Sequence, residues 1–198
     1  PALLLMRGEV LLAVGRPDDA VTVLQHGVEV DPERPRMHFQ FATALASTGE
    51  SKRALEQFAS EIKVNPDPTV QVLAHLNRSM LFQQDRKWLD GAGELEAVLA
   101  LDATRSEAFG DLATLYIQAG ETGKAMDALD RGKAYGFDSA PHYYSLGARL
   151  YNSERFEDAA AVMGEALRVD PGMAEAERSL AASLEKLGRR EEAAAHLR

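Results

Sequence analysis

Chemistry needs reactive side chains brought together, and the first residues to weigh are the five histidines, His26, His38, His75, His142 and His196. No two stand three or four residues apart, so no helix carries a two-histidine metal face. The chain has no cysteine, which removes disulfides, thiolate ligands and cysteine nucleophiles together. No Gly-x-Ser-x-Gly, Walker or His-Glu-x-x-His pattern occurs. Gly91-Ala92-Gly93 is not a phosphate loop, because no strand precedes it and no Lys-Ser/Thr follows; close helix packing or a local weak point is the expected meaning. The acidic pairs Asp18-Asp19, Glu157-Asp158 and Glu191-Glu192 suit the first turns of helices, where they complement the helix dipole, better than a calcium site. His142 stands beside Tyr143-Tyr144 with no evident acid or nucleophile as partner. The expectation is a protein that is not an enzyme, with no catalytic residue, no metal site and no cofactor.

What would position such residues is helix. Hydrophobic residues make up 45 % of the chain and aromatics only 7 %, with Ala and Leu abundant throughout. The net charge of −9 is spread evenly, with 14 acids against 10 Lys/Arg in residues 1–100 and 17 against 12 in residues 101–198. No basic stripe is present to displace counterions, so nucleic acid is excluded as a partner. The apolar run Ala2 to Met6 is too short for a signal core or a membrane span, so no membrane insertion is expected and the compartment stays open.

The dominant signal is a 34-residue period. Glu29-Val30-Asp31-Pro32, Val64-Asn65-Pro66 and Arg168-Val169-Asp170-Pro171 recur, and the chain divides into units 1–34, 35–68, 72–105, 106–139, 140–173 and a truncated 174–198. Three extra residues, Thr69 to Gln71, precede the third. The eighth place holds Gly8, Ala42, Ser79, Ala113, Gly147 and Ala181; the twentieth holds Ala20, Ala54, Gly91, Ala125, Ala159 and Ala193. Large apolar residues follow each column, Leu11, Leu45, Phe82, Tyr116, Leu150 and Leu184 after the first, and Leu24, Phe58, Leu95, Leu129, Met163 and Leu197 after the second. Small residues let two helix backbones approach, and large ones a turn away fill the groove beside them. Gly15, Gly49, Gly120 and Gly188 mark the turn within a hairpin, and Asp-Pro or Asn-Pro ends the second helix. No segment alternates with period two, so no strand is predicted.

Tyr143, Leu146-Gly147, Leu150, Ala159, Met163, Ala166 and Pro171, and again Phe109, Leu112-Ala113, Tyr116, Ala125 and Leu129, resemble the tetratricopeptide repeat pattern. The resemblance covers essentially the whole chain. It implies an all-α fold, a right-handed superhelical α-solenoid of antiparallel helix pairs, about six units in a single array. Departures fall in the third unit, with Gly91 in the small column, Arg86 at the usual turn glycine and no proline at Ala103. The fourth unit ends in Ala134-Tyr135-Gly136-Phe137, Arg7 and Arg78 replace Leu, and Glu61 stands where Ala is typical. Stacking is expected to be least regular at the second-to-third junction. His38 and His75, at a place usually aromatic, are expected to be half-buried packing residues, and Trp88 likewise packs.

The resemblance also implies a groove lined by the second, fifth, sixth, ninth and twelfth places of each first helix. These are Leu5, Met6, Leu12, Arg36, Phe39, Gln40 and Thr43 in the first two units, and Leu73, Leu76, Asn77, Met80 and Gln83 in the third. Asp111, Thr114 and Ile117 follow in the fourth, then Tyr144, Ser145 and Tyr151, then Arg178 and Glu185, with Gln84, Gln118 and Asn152 at the edge. Leu5 and Met6 have an alternative role in packing. Carboxamides grip a peptide backbone irrespective of sequence and the apolar residues supply pockets, so the expected partner is a protein, as an extended peptide or a helix. The carboxylate clamp of chaperone-binding relatives would need Lys and Asn where Leu5, Glu9, Gln40, Leu73 and Asn77 stand, and is not expected. A docking or regulatory domain of a larger enzyme and a scaffold that self-associates through its termini are the alternative functions.

Overall fold

The computed structural model describes residues 1–196, and among them the only regular elements are twelve α-helices. They run α1 Ala2–Ala13, α2 Pro17–Val30, α3 Met37–Ser47, α4 Ser51–Val64, α5 Pro68–Gln84 and α6 Trp88–Leu101. Then follow α7 Glu107–Ala119, α8 Thr122–Lys133, α9 Ala140–Asn152, α10 Phe156–Val169, α11 Ala174–Lys186 and α12 Arg190–Ala195. Odd-numbered helices are the first, and even-numbered ones the second, of each hairpin. The chain forms two compact units, Pro1–Asp102 and Ala103–Arg198, each a helical repeat solenoid of three hairpins.

The small columns explain the pairing. All twelve column residues, from Gly8 to Ala193, are buried. A Cβ on Gly8 would lie 2.4 Å from Leu24 Cδ2, and one on Gly147 would lie 2.8 Å from Met163 Cε. Leu24, Phe58, Leu95, Leu129 and Met163 are buried beside them; Leu197, the last of that series, lies outside the described residues. Ser79, the polar member, donates its hydroxyl to the Gly91 carbonyl at 3.0 Å, so its burial is satisfied. Gly93 is different: a Cβ there meets nothing within 4 Å. Of that glycine pair, Gly91 is buried against Ser79 and Gly93 is open.

The turn between the two helices of every hairpin needs a residue with positive φ at the same place. Gly15, Gly49, Gly120 and Gly188 supply it with φ between 72° and 84°, while Arg86 (56°) and Glu154 (59°) occupy it in the third and fifth hairpins. A side chain in this region is strained by about 1 kcal/mol. Arg86→Gly and Glu154→Gly are therefore each expected to raise stability by about 0.5–1 kcal/mol, which chemical denaturation of the single variants checks.

Second helices start on their acids, as expected from Asp18, Asp19, Glu157, Asp158, Glu191 and Glu192. An arginine just before the helix folds onto an acid three residues later in Arg16–Asp19, Arg155–Asp158 and Arg189–Glu192. Asp31, Asn65 and Asp170 close α2, α4 and α10, with the prolines beyond them. The fourth hairpin ends differently. Gly136 turns at φ 83°, Phe137 N–H returns to the Gly132 carbonyl at 2.9 Å, and the Phe137 ring lies where a Cβ on Gly110 would sit, 2.3 Å away.

The second-to-third junction is not the irregular one. Thr69 to Gln71 lengthen α5, which starts at Pro68 and runs 17 residues, instead of enlarging a loop. Asp67 caps that helix through Thr69 N–H at 2.9 Å. Gln71 then donates to the carbonyls of Ile62 (3.2 Å) and Asn65 (2.9 Å), tying α5 to the end of α4. The division of the chain falls later, between Asp102 and Ala103, where the proline is missing.

Glu61 has a function in the second hairpin that its column does not suggest. It is fully buried, and its carboxylate accepts from Arg36 N–H (2.7 Å), Phe39 N–H (3.0 Å) and the Asn65 carboxamide (2.6 Å). Arg36 precedes α3 with φ 69°, leaving the first N–H groups of that helix without internal partners. A carboxylate from α4 fills this N-terminal position, where the helix dipole favours negative charge.

Candidate partner-binding site

In the first unit the open lining lies on α5. Leu73 and Met80 are 41 % and 59 % exposed, an unusual state for large apolar side chains seven residues apart on one helix face. Leu76, Asn77 and Gln83 sit half-buried on the same face. Asn77 donates to the Leu73 carbonyl at 2.8 Å and Gln83 to Ser79 Oγ at 3.3 Å, both within the helix. Phe39 is half-buried, edge-on to Phe58 with ring centroids 5.4 Å apart, so much of its surface is spent on packing. Gln40 is engaged by Glu9 at 3.2 Å, and Arg36 pairs with the same carboxylate at 3.1 Å. Leu5 and Leu12 pack against the core, whereas Met6 joins Leu3, Val10 and the C-cap residue Val14 in an exposed stripe along α1 and its end.

Beneath α5 lies a charged group that sequence reasoning missed. Glu94 of α6 receives His75 Nδ1–H and Arg78, each at 2.7 Å, and Arg78 also reaches the Leu55 carbonyl. Arg78, a departure from Leu, is thereby accounted for. Burial pushes the Glu94 carboxyl up, but the His75 hydrogen bond and the Arg78 charge prevail and hold it below its ordinary 4.5. A depressed folded pKa stabilises above the unfolded value and loses that contribution as pH falls through the folded one. Stability is thus expected to fall below about pH 4.5, and the fall to be shallower in Glu94→Gln, as denaturation from pH 6 to pH 3 tests.

In the second unit Asp111 and Thr114 are exposed on α7, and Thr114 Oγ–H returns to the Gly110 carbonyl at 3.0 Å. Ile117 corrects the predicted lining: at 8 % exposure it belongs to the core and offers almost no surface. Burial raises the Asp111 carboxyl, with Glu107 adding to it and His142 opposing; burial likewise lowers the His142 imidazole. His142 does have a partner, Ser139 Oγ at 2.7 Å, three residues back in the helix cap, and its ring edge meets Phe137. The other histidines are also engaged: His38 with Gln57 and the Pro32 carbonyl, and His196 with Glu177. Among the described residues no group of three or more His, Asp or Glu is placed to hold a metal ion. No helix among them is long and apolar enough to cross a membrane.

Tyr144 and Tyr151 are half-buried on α9, and Tyr151 meets Phe156 edge-on at 5.2 Å. Between α9 and α11 opens a pocket of about 270 Å³ lined by Ala148, Tyr151, Asn152, Met163, Arg178, Ser179 and Ala182. Tyr151, Asn152 and Arg178 were predicted groove residues; Ala148, Ser179 and Ala182 were not. They occupy the same groove-facing places as larger residues elsewhere, and their small size makes the hollow. That run of small residues was a legible signal.

Comparison with known proteins places this geometry. Family models described as tetratricopeptide repeat match residues 1–44, 84–150 and 144–198. A tetratricopeptide repeat and J domain-containing co-chaperone, DNJ1 of Cryptococcus neoformans, is 26 % identical over 125 residues, 62 % of this chain. The chain spans only 23 % of that relative's length. Among solved structures, MamA aligns at 22 % identity with TM-score 0.62 over 81 % of this chain and 86 % of its own. YrrB, described as a TPR protein with an unusual peptide-binding site, aligns at 18 % identity and TM-score 0.60 over 88 % of each chain. A tetratricopeptide repeat protein from Parabacteroides merdae aligns at 15 % identity and TM-score 0.64 over 98 % of this chain and 76 % of its own. Column residues, hairpin geometry and matched repeats agree: the chain belongs to the tetratricopeptide repeat family.

Proposed function

We propose that this chain is a non-catalytic interaction scaffold whose first-helix faces bind a protein partner, as an extended peptide or as a helix. The observation that carries the reading is the α5 row. Leu73, Leu76, Asn77, Met80 and Gln83 form one continuous strip of apolar and carboxamide side chains, and its two largest apolar members are substantially exposed. Apolar side chains held out of a core are anchors for a partner, and carboxamides beside them satisfy its backbone. YrrB's peptide-binding site, on a similar fold, supports the same use here. The test is capture from lysate of the source cell by the whole chain beside a Leu73→Ala/Asn77→Ala/Met80→Ala variant. A captured protein lost from the variant, with helicity unchanged, supports the reading; equal capture by both rejects the α5 face.

The α1 stripe of Leu3, Met6, Val10 and Val14 favours a second reading, self-association through that helix. Sedimentation over a hundredfold concentration range decides it: a mass that rises with concentration in the wild type but not in Leu3→Glu/Val10→Glu supports it, and a constant monomer mass removes it.

A further inference from the structure

The pocket between α9 and α11 combines an apolar lining with polar side chains that make no hydrogen bond among the described residues. Its apolar lining is Ala148, Ala182 and Tyr151, while Met163, also at the pocket, is itself fully buried. Around it stand Asn152, Ser179 and Arg178. The side chains of Asn152 and Ser179 make no hydrogen bond among the described residues, and Ser179 serves Ser183 only through its backbone carbonyl. Arg178 has one charged neighbour, Glu175 at 3.8 Å, beyond hydrogen-bond distance, and its side chain is 64 % exposed. Among the described residues no carboxylate lines the pocket, although acids outnumber bases in the chain 31 to 22. A hollow with a few convergent, unspent polar groups has the form of a ligand subsite.

We infer that this pocket takes one large apolar side chain of a bound peptide and that Arg178 takes a carboxylate next to it. The inference rests on the first-helix reading above and specifies its ligand in the second unit. The parts divide the work by their chemistry. A volume of about 270 Å³ accepts a Leu, Met or Phe side chain against Ala148, Ala182 and the Tyr151 ring. Asn152 can donate to and accept from the peptide backbone at once, and Ser179 Oγ adds a donor. The Arg178 fork has the planar geometry that matches a carboxylate in two parallel hydrogen bonds. That carboxylate comes either from an Asp or Glu beside the apolar residue or from the C-terminus of the peptide.

The test is a titration of the isotopically labelled whole chain with four hexapeptides, followed by amide chemical shifts. Three are blocked at both ends and carry Leu-Glu, Leu-Lys or Gly-Glu at the centre; the fourth ends in Leu with a free carboxylate. The expected result is saturable shifts at Ala148, Asn152, Ser179 and Ala182 with the Leu-Glu peptide, the free-carboxylate peptide, or both. Which of the two responds identifies the source of the carboxylate. Binding is expected to be about threefold tighter than to the Leu-Lys peptide, as suits a solvent-exposed ion pair. Arg178→Gln, a surface change that leaves the fold intact, should erase that preference while leaving the Leu requirement. Ala182→Met should fill the hollow and remove the response to every peptide. Binding of the responding carboxylate peptide no tighter than that of the Leu-Lys peptide, or a preference untouched by Arg178→Gln, overturns the inference. Shifts confined to Leu73, Asn77 and Met80 also overturn it while leaving the first-helix reading standing. Silence at every amide overturns it as well, and the capture experiment then judges the broader reading separately.

Discussion

Replacing Glu61 by alanine is expected to destabilise the first unit by about 3 kcal/mol, one of the two largest effects of a single substitution expected here. The side chain is fully buried and accepts three hydrogen bonds, two of them from the backbone N–H groups of Arg36 and Phe39 at the start of α3. Alanine leaves those donors and the Asn65 carboxamide without an acceptor, and a buried donor left unmade costs more than a made bond contributes. Glutamine keeps the shape but points a donor at a donor, so its cost is expected to fall between wild type and alanine. The loss should be local, because repeats are coupled mainly to their neighbours. Hydrogen exchange in α3 and α4 should therefore accelerate before that in α9 and α10. A cost below about 1 kcal/mol, the worth of an ordinary hydrogen bond, would mean that water replaces the carboxylate and that Glu61 is not the cap of α3.

Enlarging the small column is expected to have a comparable effect. Gly147 faces Met163 so closely that a Cβ lies 2.8 Å from its Cε and 3.0 Å from its Sδ. A methionine tail can swing from a methyl group, so Gly147→Ala should be nearly neutral once its better helix propensity is included. Leucine adds three more carbons at the point where α9 and α10 touch, and overpacking of this kind costs about 3 kcal/mol. Gly93→Ala is the control. Nothing lies within 4 Å of its new Cβ, so relief of the glycine in α6 should stabilise by about 0.8 kcal/mol. A loss from Gly147→Leu, with alanine neutral at Gly147 but stabilising at Gly93, read by denaturation, would establish that close approach and not glycine content organises the hairpins.

The hairpins were legible in the sequence because their requirement is steric and repeats at a fixed spacing. Every column residue from Gly8 to Ala193 is buried as the period predicted, and the four turn glycines have positive φ. Glu154 was not recognised as a fifth-hairpin turn residue, because the backbone demand is hidden when a non-glycine residue meets it. Glu61 stood out as a departure, but its role depends on an unusual start of α3, 25 residues earlier, that no local pattern reports. The irregular junction was misplaced: the three extra residues Thr69 to Gln71 are absorbed in α5, which runs 17 residues from Pro68. The division falls instead at Ala103, whose missing proline was noted only as a departure of the third unit. For the site, the α5 row came from the places that the repeat resemblance assigns to the groove, and Leu73 and Met80 are exposed there. The same assignment failed at Ile117, whose burial depends on packing, and it passed over Ala148, Ser179 and Ala182 because a hollow is made by what side chains lack.

If partners engage the first-helix faces, site-specific photo-crosslinking should capture them there. Benzoylphenylalanine is placed either at Met80, exposed on α5, or at Glu56, exposed on the second helix α4. Irradiation in the source cell should give a discrete crosslinked species from position 80 and none from position 56. The same species from position 56 alone would contradict the account and put the working surface on the second helices.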